Sequence, residues 1–346
     1  MSGEAVVPCR SMTIPYSRLR LGALALALLG MSLPTHAQTC QSASDLEPEQ
    51  RSTIEAIAKH YFDMVAAGDS AGLQKASIPA VATNFAGIEA SVKDNQPVFS
   101  QAQVSVRSVY ALTAEGSEPL SRAEFLCGVF GANGQTTNSV VFVLQNLPPG
   151  KYAVAILDAK ASQDARTLTL VLQQSAAEWK LAGFYARITQ INGHDSAWFA
   201  QRAREFKAKG QNRNAWFYFH EAIALAAPAD FVSTLVTDKL YDEVQSVPPA
   251  DLPVGGGTLD LSAAGAARKV TAMFAVAVGN DFDLVVKYDA ADISDTYHTF
   301  QTNVAVIKAV VARFPEFRDG FDGVVARAVE PSGRDYGAML PMKEIK

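Results

Sequence analysis

Between Lys151 and Ile188, apolar and polar residues alternate in three runs separated by two short polar turns. Leu168, Leu170 and Leu172 fall on one side of this pattern, and Thr167, Thr169 and Gln173 on the other. That spacing predicts a strand with one buried face and one solvent face. After the turn at 174–177, Trp179, Leu181 and Tyr185 keep the period of two, so the last two runs are expected to pair as a hairpin. Upstream the period changes. Ile54, Ile57, Ala58, Tyr61, Phe62 and Val65 recur at helical spacing, in a helix expected from about Glu47 to Ala67 that Pro48 opens and Gly68 closes. Residues 38–45 read as a polar lead-in, Ala71–Ala76 and Ala80–Val92 as shorter helices, and Gln103–Thr113, Glu124–Phe130 and Ser139–Leu147 as further strands.

Helices followed by antiparallel strands make an α+β domain in which a curved sheet wraps the first helix. On the Ile54–Val65 stripe and the final hairpin with its Glu178-Trp-Lys-Leu181 return, residues 46–190 resemble the NTF2-like (cystatin-like cone) superfamily. The resemblance implies a cone-like helix-on-curved-antiparallel-sheet domain and leaves activity open, since such folds host enzymes, carriers and domains without known chemistry.

From His194 to Pro228 two amphipathic helices meet at Gly210. Phe199, Ala203, Phe206, Ala215, Phe219 and Ala222, with Pro228 as the stop, resemble a single tetratricopeptide (TPR-like) unit, although Arg202 takes a usually apolar place. A helix over Ala229–Val244 is positioned to cap it, giving a helical hairpin insert over 194–246. One unit alone lacks the extended groove that repeat arrays use for peptides, which favours packing or spacing as its role.

Val247–Gly257 reads as a proline- and glycine-rich linker. Beyond it, 258–346 reads as a C-terminal ββαββ module. Arg268–Val278 and Asp281–Tyr288 pair around Gly279-Asn280, and the helix Asp295–Phe314 buries Tyr297, Phe300, Val304, Ile307 and Val311. Gly320–Val329 and Tyr336–Ile345 close the module.

Composition refines the picture in three places. Arg18 and Arg20 precede the apolar run Leu21–Leu29, and Thr35-His-Ala37 offers small residues for cleavage, so residues 1–37 read as a signal peptide or, alternatively, an uncleaved anchor. A periplasmic or secreted protein with no further membrane span is expected. Without that segment 27 basic residues face 34 acidic ones with no basic cluster, a balance that argues against nucleic acid and anionic membrane as partners. Of the three cysteines, Cys40 and Cys127 remain, either joined as a disulfide or with Cys127 as a small buried side chain.

Candidate chemistry is sparse. His60, His194, His220 and His298 share no metal-ligand spacing, and the aspartates at 281, 283, 289, 292, 295, 319 and 322 sit where turns and helix caps use them. No metal and no cofactor is expected. The sequence lacks Gly-x-Ser-x-Gly, phosphate-loop, dinucleotide and His-Glu-x-x-His strings. A cone pocket could still gather His60, Tyr61, Asp63 and Tyr185 in space, although core packing of both tyrosines is the simpler role. The leading expectation is an exported non-enzymatic binding protein whose cone and helical unit present surfaces to a protein or a small apolar ligand. The rival is a cone-pocket enzyme or a carrier of a small hydrophobic ligand, and a third option is a structural envelope component.

Overall fold

The computed structural model describes residues 38–128, 139–162, 164–176, 178–278 and 281–346. The signal segment and the Gly279-Asn280 turn lie outside these residues, as does the end of the strand expected over Glu124–Phe130. Helix and strand contribute almost equally, and most of the sheets are antiparallel.

The first strand, β1 (Gln38–Ser42), is followed by α1 (Pro48–Ala67), α2 (Ser70–Lys75), α3 (Pro79–Thr83) and α4 (Ala86–Phe99). Next come β2 (Gln103–Ala114), β3 (Leu120–Cys127), β4 (Val140–Leu147), β5 (Gly150–Lys160), β6 (Ala165–Ser175) and β7 (Glu178–Ile188). The five strands β1-β2-β5-β6-β7 form the main sheet, antiparallel throughout. The stretch expected as a polar lead-in is therefore its edge strand, because Gln38–Ser42 completes the hydrogen bonding of β2.

The α1 stripe is buried as the spacing predicts: Ile54, Ala58, Tyr61, Phe62 and Val65 share one core with Leu168, Leu170, Leu172 and Leu181. Gly68 ends α1 in the left-handed conformation at φ 73°, where its N–H reaches the last-turn carbonyls. The opposite face of β6 is not solvated. Thr167 and Thr169 are 1% and 0% exposed, because β3, β4 and the segment after the helical hairpin cover that side. Alternation there separates two cores. The polar positions are tolerated because each threonine hydroxyl has a partner.

Two-residue strands β8 (Gln190–Ile191) and β9 (His194–Asp195) lead into α5 (Ser196–Ala208) and α6 (Asn212–Ala226), which pack as a hairpin closed at Gly210. Then β10 (Val232–Thr234) adds to β4 and β3 in a three-stranded sheet, and α7 (Leu235–Val244) packs on α6.

The C-terminal part holds β11 (Leu259–Ala263), β12 (Ala266–Val278), β13 (Asp281–Asp289), α8 (Thr296–Arg313), β14 (Gly323–Val329) and β15 (Asp335–Pro341). Its sheet runs in that strand order and is mixed, since β13 and β14 are parallel. This corrects the ββαββ antiparallel expectation twice: a strand precedes the first pair, and α8 returns the chain to the starting end of the sheet, which makes its flanking strands parallel. The buried side of α8 is also rotated from the expected one. Thr299, Thr302, Asn303, Val306, Ile307, Val310 and Val311 face inward, while Tyr297 is 75% and Phe300 40% exposed. Asn303 is accommodated by accepting the Tyr288 hydroxyl at 2.8 Å and donating to the Tyr336 carbonyl at 3.0 Å.

α5 and α6 share one core with this C-terminal sheet. Phe199 and Tyr218 each meet the Phe282 ring edge-on at 5.2 Å, Phe217 meets Phe321 at 5.5 Å, and the Tyr218 hydroxyl donates to the Gly320 carbonyl at 2.8 Å. The proline- and glycine-rich segment takes part as well. Val247 is 1% and Leu252 6% exposed, and the Asp251 carboxylate pairs with Arg213 of α6.

Candidate functional site

The four pocket candidates do not converge. Tyr61 is buried on the inner side of α1, with its hydroxyl 3.0 Å from the Ala76 carbonyl and 3.2 Å from that of Trp179. Burial pushes its pKa up. His60 and Asp63 lie on the exposed outer side of the same helix, since residues three apart share a face that position 61 does not. Tyr185 sits on the far face of the main sheet, edge-on to Phe231 at 4.9 Å, and its pKa is raised by burial and by Asp230.

The remaining histidines are engaged with aromatic rings or helix ends. His194 stacks on Trp198 at 3.8 Å, and His220 leans on Trp216 at 4.1 Å. Among the described residues only the backbone of His298 is engaged, its N–H donating to the Asp295 carboxylate that caps α8 at 2.9 Å. The aspartates behave as turn and cap groups: Asp292 accepts from Ser294, and Asp322 accepts from the Phe282 N–H at 2.8 Å. Asp283 is the exception. It is 2% exposed, and its carboxyl is pushed up by burial, Asp281 and Asp322. Among the described residues no group of three or more His, Cys, Asp or Glu could hold a metal ion. Cys40 and Cys127 are joined in a disulfide that ties β1 of the main sheet to β3 of the smaller one.

Two concave regions remain. The first is a seam where the main sheet meets α5 and α7. One cleft of about 510 Å³ lies between Ala200 of α5, Leu225 of α6, Leu240 of α7 and Arg107 of β2. A second, of about 500 Å³, continues over Tyr110 and Ile156 of the sheet toward Arg51 and Ser44. The clefts share Arg107 and Val236. Arg107 occupies a register shift between β2 and β5, a bulge that turns its side chain onto the seam side. Its guanidinium forks onto Asp158 and donates to the Thr167 hydroxyl at 2.9 Å. The other arginines of the seam are also paired, Arg204 with Glu243 at 2.7 Å and Arg51 with Glu55 at 2.7 Å. With these arginines matched, the seam presents apolar side chains between paired charges, beside the exposed Lys239, and Val236 stands 57% exposed where the two clefts meet.

The second region is a cavity of about 620 Å³ at the open end of the α1 core. It is lined by Ile54, Ala111 and Trp179, by Gln41, Lys151 and Gln174 from the sheet, and by Glu47 just before α1 with Glu49 and Gln50 in its first turn. Deeper in, the space between helix and sheet is closed by leucines and phenylalanines, with Leu168, Leu170, Leu172 and Leu181 at 0% exposure.

The sequence suggests a cone pocket but not the residues that line this cavity, and it leaves the seam unannounced. Arg107 left no signal because a bulge is invisible in alternation. The cavity walls could have been found, since Lys151 and Gln174 are the polar ends of otherwise apolar strand runs.

No family model, no curated protein and no solved structure matches the chain. Among the described residues no helix is long and apolar enough to cross a membrane.

Proposed function

We propose that this chain is an exported binding protein that holds an extended, predominantly apolar peptide segment in the seam between its first sheet and its helical hairpin. The observation that carries this reading is the continuity of the two clefts through Arg107 and Val236, with their arginines already ion-paired. Pre-paired charges hold the walls in place and leave apolar contact as the source of affinity. The inner aromatics of α5 and α6 are filled by Phe282 and Phe321 of the same chain, which leaves the outer seam as the accessible surface of the hairpin.

Two finer readings belong to this proposal. Residues 46–190 follow the NTF2-like cone, supported by the α1 stripe beneath the leucines of β6, with the departure that β3 and β4 leave the main sheet for a second one. Residues 194–228 follow a TPR-like unit, supported by the burial of Phe199, Ala203, Phe206, Ala215, Phe219 and Ala222 and by the exposed turn at Gly210. Export is supported by the Arg18–Ala37 signal pattern and by the disulfide, which suits an oxidising compartment.

A dodecapeptide display library panned on the purified chain tests the peptide reading. Enriched peptides should carry apolar residues, bind in the micromolar range and lose about tenfold in affinity with Val236→Asp. Robust turnover on a hydrolase and isomerase panel, abolished by His60→Ala, would contradict it. A second reading rests on the cavity beside Trp179, whose volume lies within the roughly 300–1,000 Å³ of small-molecule pockets: a carrier that holds a small ligand there.

A further inference from the structure

We propose that the cavity at the open end of the α1 core binds a neutral saccharide, with one sugar face stacked on Trp179 and its hydroxyls held by side-chain amides. The inference rests on the carrier reading of that cavity and gives it a ligand class.

The helix-side face of the main sheet is apolar over most of its length, through Val109, Ala153, Ala155, Leu168 and Leu170. At one end it turns polar, in a row through Thr113, Lys151 and Gln174 with Gln41 one step along beside Ala111. Gln41 of β1, Thr113 of β2, Lys151 of β5 and Gln174 of β6 all line the cavity. Thr113 is the direct cross-strand partner of Lys151, and Gln174 that of Trp179, so each pair rises side by side from one face. Opposite this row stands Gln50 in the first turn of α1.

The polar groups are uncommitted. The side chains of Gln41, Gln50, Gln174 and Lys151 find no hydrogen-bond or ion-pair partner among the described residues, nor do the carboxylates of Glu47 and Glu49. Three primary amides supply six N–H donors and three carbonyl acceptors, a mixture that suits hydroxyls, which both donate and accept. A purely apolar ligand would strip water from these groups and return nothing. An anion would meet two carboxylates, and a cation drawn by them would still meet Lys151. A neutral polyol avoids both conflicts. Its apolar C–H face matches the indole, which packs against the α1 core from one side and lines the cavity from the other.

The test is saturation-transfer NMR on the purified full chain with cellobiose, maltose and chitobiose at millimolar concentration, alongside choline and the apolar dye anilinonaphthalene sulfonate. At least one disaccharide should receive saturation transfer. Its affinity should fall about tenfold in Trp179→Ala and about threefold in Gln174→Ala, and be largely kept in Trp179→Phe. The Gln174 variant alters an unpaired side chain at the rim, so it reports on binding even where the tryptophan variant folds poorly. Trp198→Ala, on α5, should leave the affinity unchanged. Absence of transfer to all three sugars, or binding indifferent to both cavity variants, would overturn the proposal. Choline or the dye bound at Trp179 in their place would overturn the ligand class while sparing the carrier reading.

Discussion

Thr169, in the middle of the inner strand β6, donates its hydroxyl proton to the carbonyl of Pro228, 3.0 Å away at the end of the helical hairpin. Strand alternation directs that hydroxyl to solvent, and the proline reads only as a helix stop. Together they fasten the hairpin to the far face of the main sheet, and both residues are buried.

Thr169→Val keeps the shape and removes the donor, leaving the Pro228 carbonyl buried without that bond. The expected cost is about 1–3 kcal/mol in urea unfolding. A loss below about 0.5 kcal/mol would mean that the Arg187–Asp230 ion pair, the β10–β4 pairing and apolar contact hold the hairpin without this bond.

The Cys40–Cys127 disulfide closes a sequence separation of 87 residues, and Cys127 is fully buried between the two sheets. Cys40→Ala with Cys127→Ala should lower stability by about 2–5 kcal/mol, and reduction of the parent protein should lower it comparably. A double variant as stable as the oxidised parent would show that β1 holds its place by strand pairing alone.

Much of this architecture can be read from the sequence. The α1 stripe and the leucines of β6 carry separate periods, 3.6 and 2, and each marks the face that meets the other. What could not be read follows from contacts between distant segments. Thr167 and Thr169 are polar yet buried, because their partners come from residues 107 and 228. Tyr297 and Phe300 are aromatic yet exposed, because α8 turns its hydroxyl- and amide-bearing side inward to meet Tyr288 and Tyr336. The aromatic infill of the helical hairpin comes from Phe282 and Phe321, which no local spacing in α5 or α6 announces. Of the site candidates, only Tyr61 approaches the cavity end of the core, through its contact with the Trp179 carbonyl.

Glu221, on α6 between the buried Phe217 and Leu225, has its pKa raised from 4.5 to about 7 by burial. Between those two pH values the folded protein holds a proton that the unfolded chain has lost. Stability from this group is therefore full below pH 4.5 and falls as the pH rises toward 7. The effect is at most about 3 kcal/mol. Glu221→Gln should flatten the stability profile over that range and exceed the parent in stability above it, as read by thermal unfolding in a pH series. An unchanged slope would show that Glu221 is hydrated in the folded state.

The most direct test of the binding account is hydrogen–deuterium exchange on the chain with and without a display-selected apolar peptide. The seam account predicts slower exchange in two segments that are distant in sequence, the β2 bulge around Arg107 and the start of α7 around Val236, with both protections lost in Val236→Asp. Protection confined to any other surface, or retained in that variant, would contradict it.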